Sequence, residues 1–503
     1  GDFSSTGEKK GLKSMPGKPK NILFVLTDQQ RMDSLGIYDA ELAETPVLDA
    51  LAQRGTRFTQ AYTPCSVCSP ARASLFSGLY PHQHQVTRNG GIYRRELPNI
   101  AHALHEADYR LGYTGKWHID DTYGPTHFGF EANDWLGYSY PAGGVYTRFL
   151  AGTCLYPINH YVEYLKERDL EIPELTDAIY RPANRNMEIY GRQTGPVEAS
   201  FEHYVADEAI ELIDRFTTRG EQDERPFFIW VNFWGPHDPY VLPEPFYSMF
   251  DDQELTLSPS MKETWENKPW IQQKMCTNYW GIKDLDESIW RKAIAKYAAY
   301  CAFLDWETGR ILDRLEARGV LADTVVVYSS DHGSMIGHHK LIDKGPYAYD
   351  DIQRIPLIAA GPGISPGNVC DEFVHLHDLT PTIVEWADAE PFPCSNAQSL
   401  VPVMERESLP QPRDDVFMAR YHHPFPYEQR FIRTDRYKYA FNACDIDELY
   451  DLKTDPHEMA NCIDDPAYAS AKEEMIERMW AHLTALDDPI SQCFNVWTGR
   501  ETT

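Results

Sequence analysis

Nothing in this sequence approaches the roughly 18 consecutive apolar residues that a membrane-spanning helix requires. The first twenty residues, GDFSSTGEKKGLKSMPGKPK, are polar and basic with no hydrophobic signal core. A soluble chain with no membrane partner is expected, and its compartment is left open between a bacterial-type cytoplasm and export to the periplasm. Basic residues are scarce, with 47 Lys plus Arg against 76 Asp plus Glu and a formal net charge of −29. That field repels polyanions and speaks against nucleic acid as a partner, so any anionic substrate must meet local positive charge. Ten cysteines in 503 residues are too dilute and too scattered for a disulfide framework. Internal repeats and low-complexity tracts are also missing, which leaves an ordinary globular composition able to bury a large core.

What is present is an alternation of strands and helices. NILFVLT (21–27), PFFIWVNF (226–233), TVVVYSS (324–330) and IPLIAAG (355–361) are apolar runs rich in β-formers. Helical stretches separate them: TPVLDALAQRG after Thr45, a segment from about Phe201 to Phe216, and a long one from about Ile289 to Arg318. The pattern predicts an α/β fold with a large mixed, mainly parallel sheet sandwiched by helices. From about Glu390 the texture changes to short strands, turns and a terminal helix at about 469–485, a smaller C-terminal α+β domain. The expected division is therefore an N-terminal extension over 1–20, a catalytic α/β domain over 21–389 and the smaller domain over 390–503. Residues 139–200 and 243–288 lack clear periodicity and are rich in Tyr, Trp, Asn and Pro. They are read as long pocket-shaping loops, with Trp135, Tyr138, Tyr140, Tyr146, Tyr156, Tyr161, Trp265, Trp270 and Trp280 as aromatics able to line a sugar pocket.

In open α/β sheets, ligands bind where strands end. Polar groups stand at three such ends: Asp28 and Gln29, His237 and Asp238, Asp331 and His332. The sharpest segment is Cys65-Ser66-Val67-Cys68-Ser69-Pro70-Ala71-Arg72. Pro70 suits the first turn of a helix, which places Cys68 at its N-terminus and Arg72 one turn on, on the same face. A nucleophile there would be stabilised as an anion. Three other readings compete. A thioredoxin-like C-x-x-C would follow a different strand context, a zinc site with His82 and His84 fails on histidine spacing, and two buried structural cysteines are the default for the segment in isolation.

Cys68-Ser69-Pro70-Ala71-Arg72 resembles the C-x-P-x-R signature of the type I sulfatases in the alkaline phosphatase superfamily, whose cysteine is oxidised to formylglycine by a maturation enzyme. The resemblance extends through Gly115-Lys116-Trp117-His118, Gly235-Pro236-His237-Asp238, Asp331-His332-Gly333 and Asp343-Lys344-Gly345-Pro346-Tyr347, over about residues 20–490. It implies a metal-dependent hydrolase of sulfate monoesters, with a small sulfated substrate or sulfated saccharide as partner. Asp28, Gln29, Cys68, Asp331 and His332 would hold one divalent metal, Ca²⁺ first and Mn²⁺ second. Cys68, Arg72, Lys116, His118, His237 and Lys344 would be catalytic, and Lys116, His237, Lys344, Asp238 and Lys340 would bind substrate. By the same analogy, one hydroxyl of the hydrated formylglycine attacks sulfur, His237 or Lys344 protonates the leaving oxygen, and His118 removes the second hydroxyl's proton to expel sulfate.

Many such sulfatases carry a second Asp where Gln29 stands, and Asn or Asp where His332 stands. This Asp-Gln with Asp-His pattern also resembles phosphonate monoester hydrolases, so hydrolysis of a phosphonate monoester or phosphodiester is the alternative. A catalytically dead glycan-binding relative would be expected to have lost Cys68, Arg72 or a metal carboxylate, and none is lost. Arg420, His422, His423 and Arg433 of the C-terminal domain are candidates for the pocket rim. Oligomeric state is not readable, and a homo-oligomer is left open.

Overall fold

The computed structural model describes residues 21–500 except 121, 133–134, 137–158, 183 and 219–224. Its centre is an eight-stranded sheet of β1 (Asn21–Thr27), β2 (Gly55–Phe58), β3 (Arg110–Lys116), β4 (Trp135–Leu136), β5 (Phe227–Asn232), β6 (Thr324–Ser330), β7 (Leu357–Ala360) and β8 (Asn368–Cys370). The strand order is β8-β2-β7-β6-β1-β5-β3-β4. Neighbours run parallel from β6 through β1, β5 and β3 to β4, and again between β8 and β2. Only β7, the IPLIAAG strand, is antiparallel to both of its neighbours. The sheet is thus mixed and mainly parallel.

Alternation along the strands separates two faces. Leu23, Val25, Ile229, Val231, Val326 and Tyr328 pack beneath the Phe201–Thr217 and Glu287–Ala317 helices. Ile22, Phe24, Leu26, Phe228, Trp230 and Val325 face the helices Cys68–Ser77, Ile100–Glu106 and Leu379–Trp386. Ser200 and Asp286 cap the two long helices through their side chains. Thr27 pairs in register with Ser330, and Leu26 with Asn232. Parallel register therefore brings the carboxyl ends of β1, β5 and β6 to one edge of the sheet, where Asp28, Phe233 and Asp331 leave it.

The last part of the chain forms an antiparallel meander, β9 (Asp415–Arg420), β10 (Gln429–Thr434), β11 (Tyr437–Asn442) and β12 (Glu448–Asp451), in sequential order. The Ala469–Ala485 helix covers it through Met475, Met479 and Leu483. The stretch read as aperiodic holds regular structure: a helix over Asn159–Glu167 and an antiparallel pair, Leu175–Arg181 with Asn184–Gln193, that continues to Tyr240–Leu242. The pair's register shifts and its half-exposed residues hid the strand period. Of the aromatics named for these segments, Tyr161 and Trp280 are buried and Trp270 is exposed. Tyr138, Tyr140, Tyr146 and Tyr156 lie outside the described residues. Among the described residues no helix is long and apolar enough to cross a membrane, and the nine described cysteines are free.

Candidate active site

Cys68 opens the Cys68–Ser77 helix, whose N-cap Val67 is extended and whose residues are all buried. The backbone N–H of Ser69 donates to Asn89 Oδ1 at 3.0 Å, so the helix head is held from outside the sheet. One turn on, Arg72 makes four bonds: Nε to Asp331 Oδ2 at 2.8 Å, Nη2 to Asp28 Oδ2 at 3.2 Å, and Nη1 to Asn232 Oδ1 at 2.9 Å and to the Lys116 carbonyl at 3.0 Å. One guanidinium thereby ties together the ends of β1, β3, β5 and β6. Gly115 allows the β3 end to come this close, because a Cβ there would lie 1.8 Å from the Asn232 carbonyl oxygen and its φ is +90°.

The donor atoms of Asp28, Cys68, Asp331 and His332 all lie within 4.8 Å of one another, and all four residues are buried. Cys68 Sγ is 3.2 Å from His332 Nε2 and 3.7 Å from Asp28 Oδ1. The other imidazole nitrogen, Nδ1, is 2.8 Å from the Gly333 carbonyl. Donating there leaves the Nε2 lone pair facing the cluster, the arrangement of a metal-ligating histidine. Two carboxylates and a neutral imidazole converging on a buried point form a donor set that fits a hard or borderline divalent cation. The Gln29 backbone N–H donates to Asp331 Oδ1 at 3.1 Å, while its side-chain Oε1 accepts from Lys344 Nζ at 2.9 Å and its Nε2 donates to Asp238 Oδ1 at 3.0 Å.

Charge is balanced locally. Burial raises the Asp28 carboxyl, but Lys116, whose Nζ is bonded to it, together with Arg72, holds it well below the usual carboxylate range. Burial and then Asp28 push the Cys68 thiol up to about 12, so an unmodified Cys68 is a thiol and a weak nucleophile at neutral pH. Burial and the Lys344 charge push His237 down to about 3. Its Nδ1 lies 2.6 Å from the Asp238 carbonyl and its Nε2 3.0 Å from Lys344 Nζ, so His237 is neutral and accepts from Lys344. Asp343, 3.0 Å from that amine, outweighs burial and holds Lys344 charged. His118 follows the end of β3 with φ +53°. Burial, then Lys116, keeps it well below the ordinary histidine value, hence neutral and able to take a proton.

The structure thus brings together Asp28, Gln29, Cys68, Arg72, Lys116, His118, Asp331, His332, His237, Asp238 and Lys344. It does not bring in Lys340, whose amine donates to the Glu263 carbonyl at 2.9 Å and lies over Trp265. His338 and His339 likewise pair with Asp351 and Glu263. His82 and His84 turn to Tyr421 and Ser74, away from any zinc site. Sequence reasoning missed Asn232, Asp343 and Arg181. Asn232 ends β5 and could have been read from that position, whereas Arg181, 2.5 Å from Asp238 Oδ2, lies in the segment taken as aperiodic. From the C-terminal part, His423 stands 3.5 Å from Asn89 and is pushed down to about 3 by burial, with Arg420 and Lys344 adding to it. His422 and Arg433 instead pair with Glu428 and Asp350.

The sequence model described as "Sulfatase" matches residues 20–389, and the one described as "N-sulphoglucosamine sulphohydrolase, C-terminal" matches residues 337–485. The chain belongs to the sulfatase family and is a sulfuric ester hydrolase. It is 29% identical over 484 residues to the uncharacterized sulfatase YidJ of Escherichia coli K12, covering 94% of this chain and 88% of that one. It is 26% identical over 501 residues to an N-acetylglucosamine-6-O-sulfatase of Bacteroides thetaiotaomicron, covering 92% and 85%. In fold it is similar to the phosphonate monoester hydrolase SpPMH from Silicibacter pomeroyi, with a TM-score of 0.77 at 24% identity over 94% of this chain and 97% of that one.

Proposed function

We propose that this chain hydrolyses a sulfate monoester of a saccharide or small organic alcohol, using a nucleophile made from Cys68 by formylglycine-generating maturation. The observation that carries the reading is the placement of Cys68 Sγ, at the head of a buried helix and against Asp28, Asp331 and His332. The matches to an N-sulphoglucosamine sulphohydrolase C-terminal region and to an N-acetylglucosamine-6-O-sulfatase support a saccharide. Catalysis is assigned to residues 21–389, with residues 390–503 as a smaller domain that buttresses the sheet.

Asp28, Gln29, Asp331 and His332 would hold one divalent cation, Ca²⁺ or Mn²⁺, which when bound supplies Lewis-acid stabilisation of the nucleophile and of a sulfate oxygen. Hydrated formylglycine at position 68 would supply two hydroxyls on one carbon, the first to attack and the second to release the product. Arg72 keeps both carboxylates oriented. Lys116 and Lys344 place positive charge where the sulfate oxygens sit, inside a chain of net charge −29. Charge builds on the leaving oxygen in the transition state. There the Lys344 ammonium, hydrogen-bonded to His237, is the proton donor, and neutral His118 takes the proton from the second hydroxyl.

The ligand pattern of Gln29 and His332 supports a second reading, a phosphonate monoester or phosphodiester hydrolase. The two separate in one comparison on matured, metal-loaded protein. The kcat/KM for 4-nitrophenyl sulfate should exceed that for 4-nitrophenyl phenylphosphonate, and Cys68→Ala should lower the former by about 10³-fold or more. A preference for the phosphonate would transfer the assignment, and full sulfatase activity in Cys68→Ala would end the proposal.

A further inference from the structure

The groups around Cys68 account for the sulfate half of a substrate and leave open what holds the alcohol half. Beyond Lys344 and His237, two segments far apart in sequence meet. The Met275–Tyr279 turn is π-helical, a form that recurs at functional sites, and it ends on Tyr279. Tyr279 packs at 4.4 Å on Trp280, whose ring carries the Arg181 guanidinium at 4.2 Å. Arg181 in turn grips Asp238, which holds Gln29. From the other side, the loop leaving β9 brings His423 to Asn89, the residue that holds the helix head at Ser69. Two residues later Phe425 meets Tyr279 edge-on, with ring centroids 5.2 Å apart.

Tyr279 is 40% and Phe425 38% exposed, although each is anchored by neighbours that reach the cluster. Two aromatic rings in contact, open to solvent and tied on both sides to the reacting groups, offer an apolar surface beside polar hydrogen-bonding groups, the usual build of a small-molecule site. We infer that Tyr279 and Phe425, with His423 and Asn89, form the leaving-group subsite and take a pyranose ring. Its C–H face lies on the aromatic rings and its hydroxyls meet the imidazole and the amide. This rests on the sulfate-ester reading above and names the substrate side of the same site. A quaternary ammonium alcohol could also use two rings, but it carries no hydroxyls for the His423 imidazole and the Asn89 amide to meet.

The test uses calorimetry on the full metal-loaded chain in a Cys68→Ala background. Inorganic sulfate, choline sulfate, N-acetylglucosamine 6-sulfate, galactose 4-sulfate and glucosamine N-sulfate are the probes. At least one monosaccharide sulfate should bind more tightly than inorganic sulfate. Tyr279→Ala and Phe425→Ala should each raise its Kd about tenfold and leave the Kd of inorganic sulfate within about twofold. Equal losses on both probes, unchanged saccharide affinity, no saccharide binding better than inorganic sulfate, or a ring dependence confined to choline sulfate would each overturn the subsite. Both side chains are substantially exposed, so unchanged thermal melting serves as the folding control. Failure of the matured wild type to hydrolyse any sulfate ester would sink the proposed reaction, while the Kd comparison would still decide the subsite.

Discussion

Glu202 accepts hydrogen bonds from Gly235 N–H at 2.8 Å, Trp234 N–H at 3.3 Å and Tyr300 O–H at 2.9 Å, yet burial raises its pKa to about 7 from an ordinary 4.5. It supports the backbone that carries His237, and the Gly235 carbonyl accepts from the Asp28 N–H at 3.1 Å. The sign of its effect on stability follows from linkage. Between pH 4.5 and about 7 the folded carboxyl binds more protons than the unfolded one, so its contribution falls as pH rises through that window and levels off above it. Glu202→Gln mimics the protonated form. The stability of wild type minus that of Glu202→Gln should therefore drop by about 3 kcal/mol across the window, read from urea unfolding at several pH values. A pH-independent difference would show that the carboxyl is ionised throughout.

At the scale of elements, the C-terminal meander is fastened to the segment after Lys344 by one buried lysine. Lys438 of β11 reaches Asp350 Oδ1 at 2.5 Å and Glu458 Oε1 at 2.6 Å with no exposure of its own, and Arg433 of β10 joins at 3.2 Å from Asp350. Lys438→Met would strand the buried Glu458 carboxylate and leave the part-buried Asp350 to Arg433 alone, and should cost about 3–5 kcal/mol in denaturant unfolding, where an exposed pair would cost about 1 kcal/mol or less. A loss below 1 kcal/mol would mean that water compensates the network.

Much of this architecture was legible in the sequence because β1, β5 and β6 are unbroken apolar runs, buried on both faces, that end in polar pairs. The direction of β7 was not legible, since IPLIAAG has the texture of a parallel strand and only its connection reverses it. The Leu175–Gln193 pair stayed hidden because its residues are half-exposed and its register slips. The site followed the same division. Asp28, Cys68, Arg72, Asp331 and His332 stand at strand ends or a helix head and could be read there. Arg181 and Asp343 act on other side chains and carry no positional mark, and Lys340 was misplaced because proximity in sequence to Asp331 did not bring it to the cluster.

The whole molecule carries −29, yet the constellation at the strand ends concentrates Arg72, Lys116 and Lys344 around two carboxylates at a buried point. That contrast suits a small anion handled in a dry, preorganised site, where fixed charges act more strongly than in water. On the proposed reading, Cys68, pushed up as a thiol by burial, would serve the reaction once converted to an oxygen nucleophile. The central claim is therefore tested most directly at one peptide. Mass spectrometry across Cys68, on protein that hydrolyses a sulfate ester after production beside a formylglycine-generating enzyme, should show a loss of about 18 Da for the aldehyde. An intact Cys68 thiol in a fully active preparation would contradict the account.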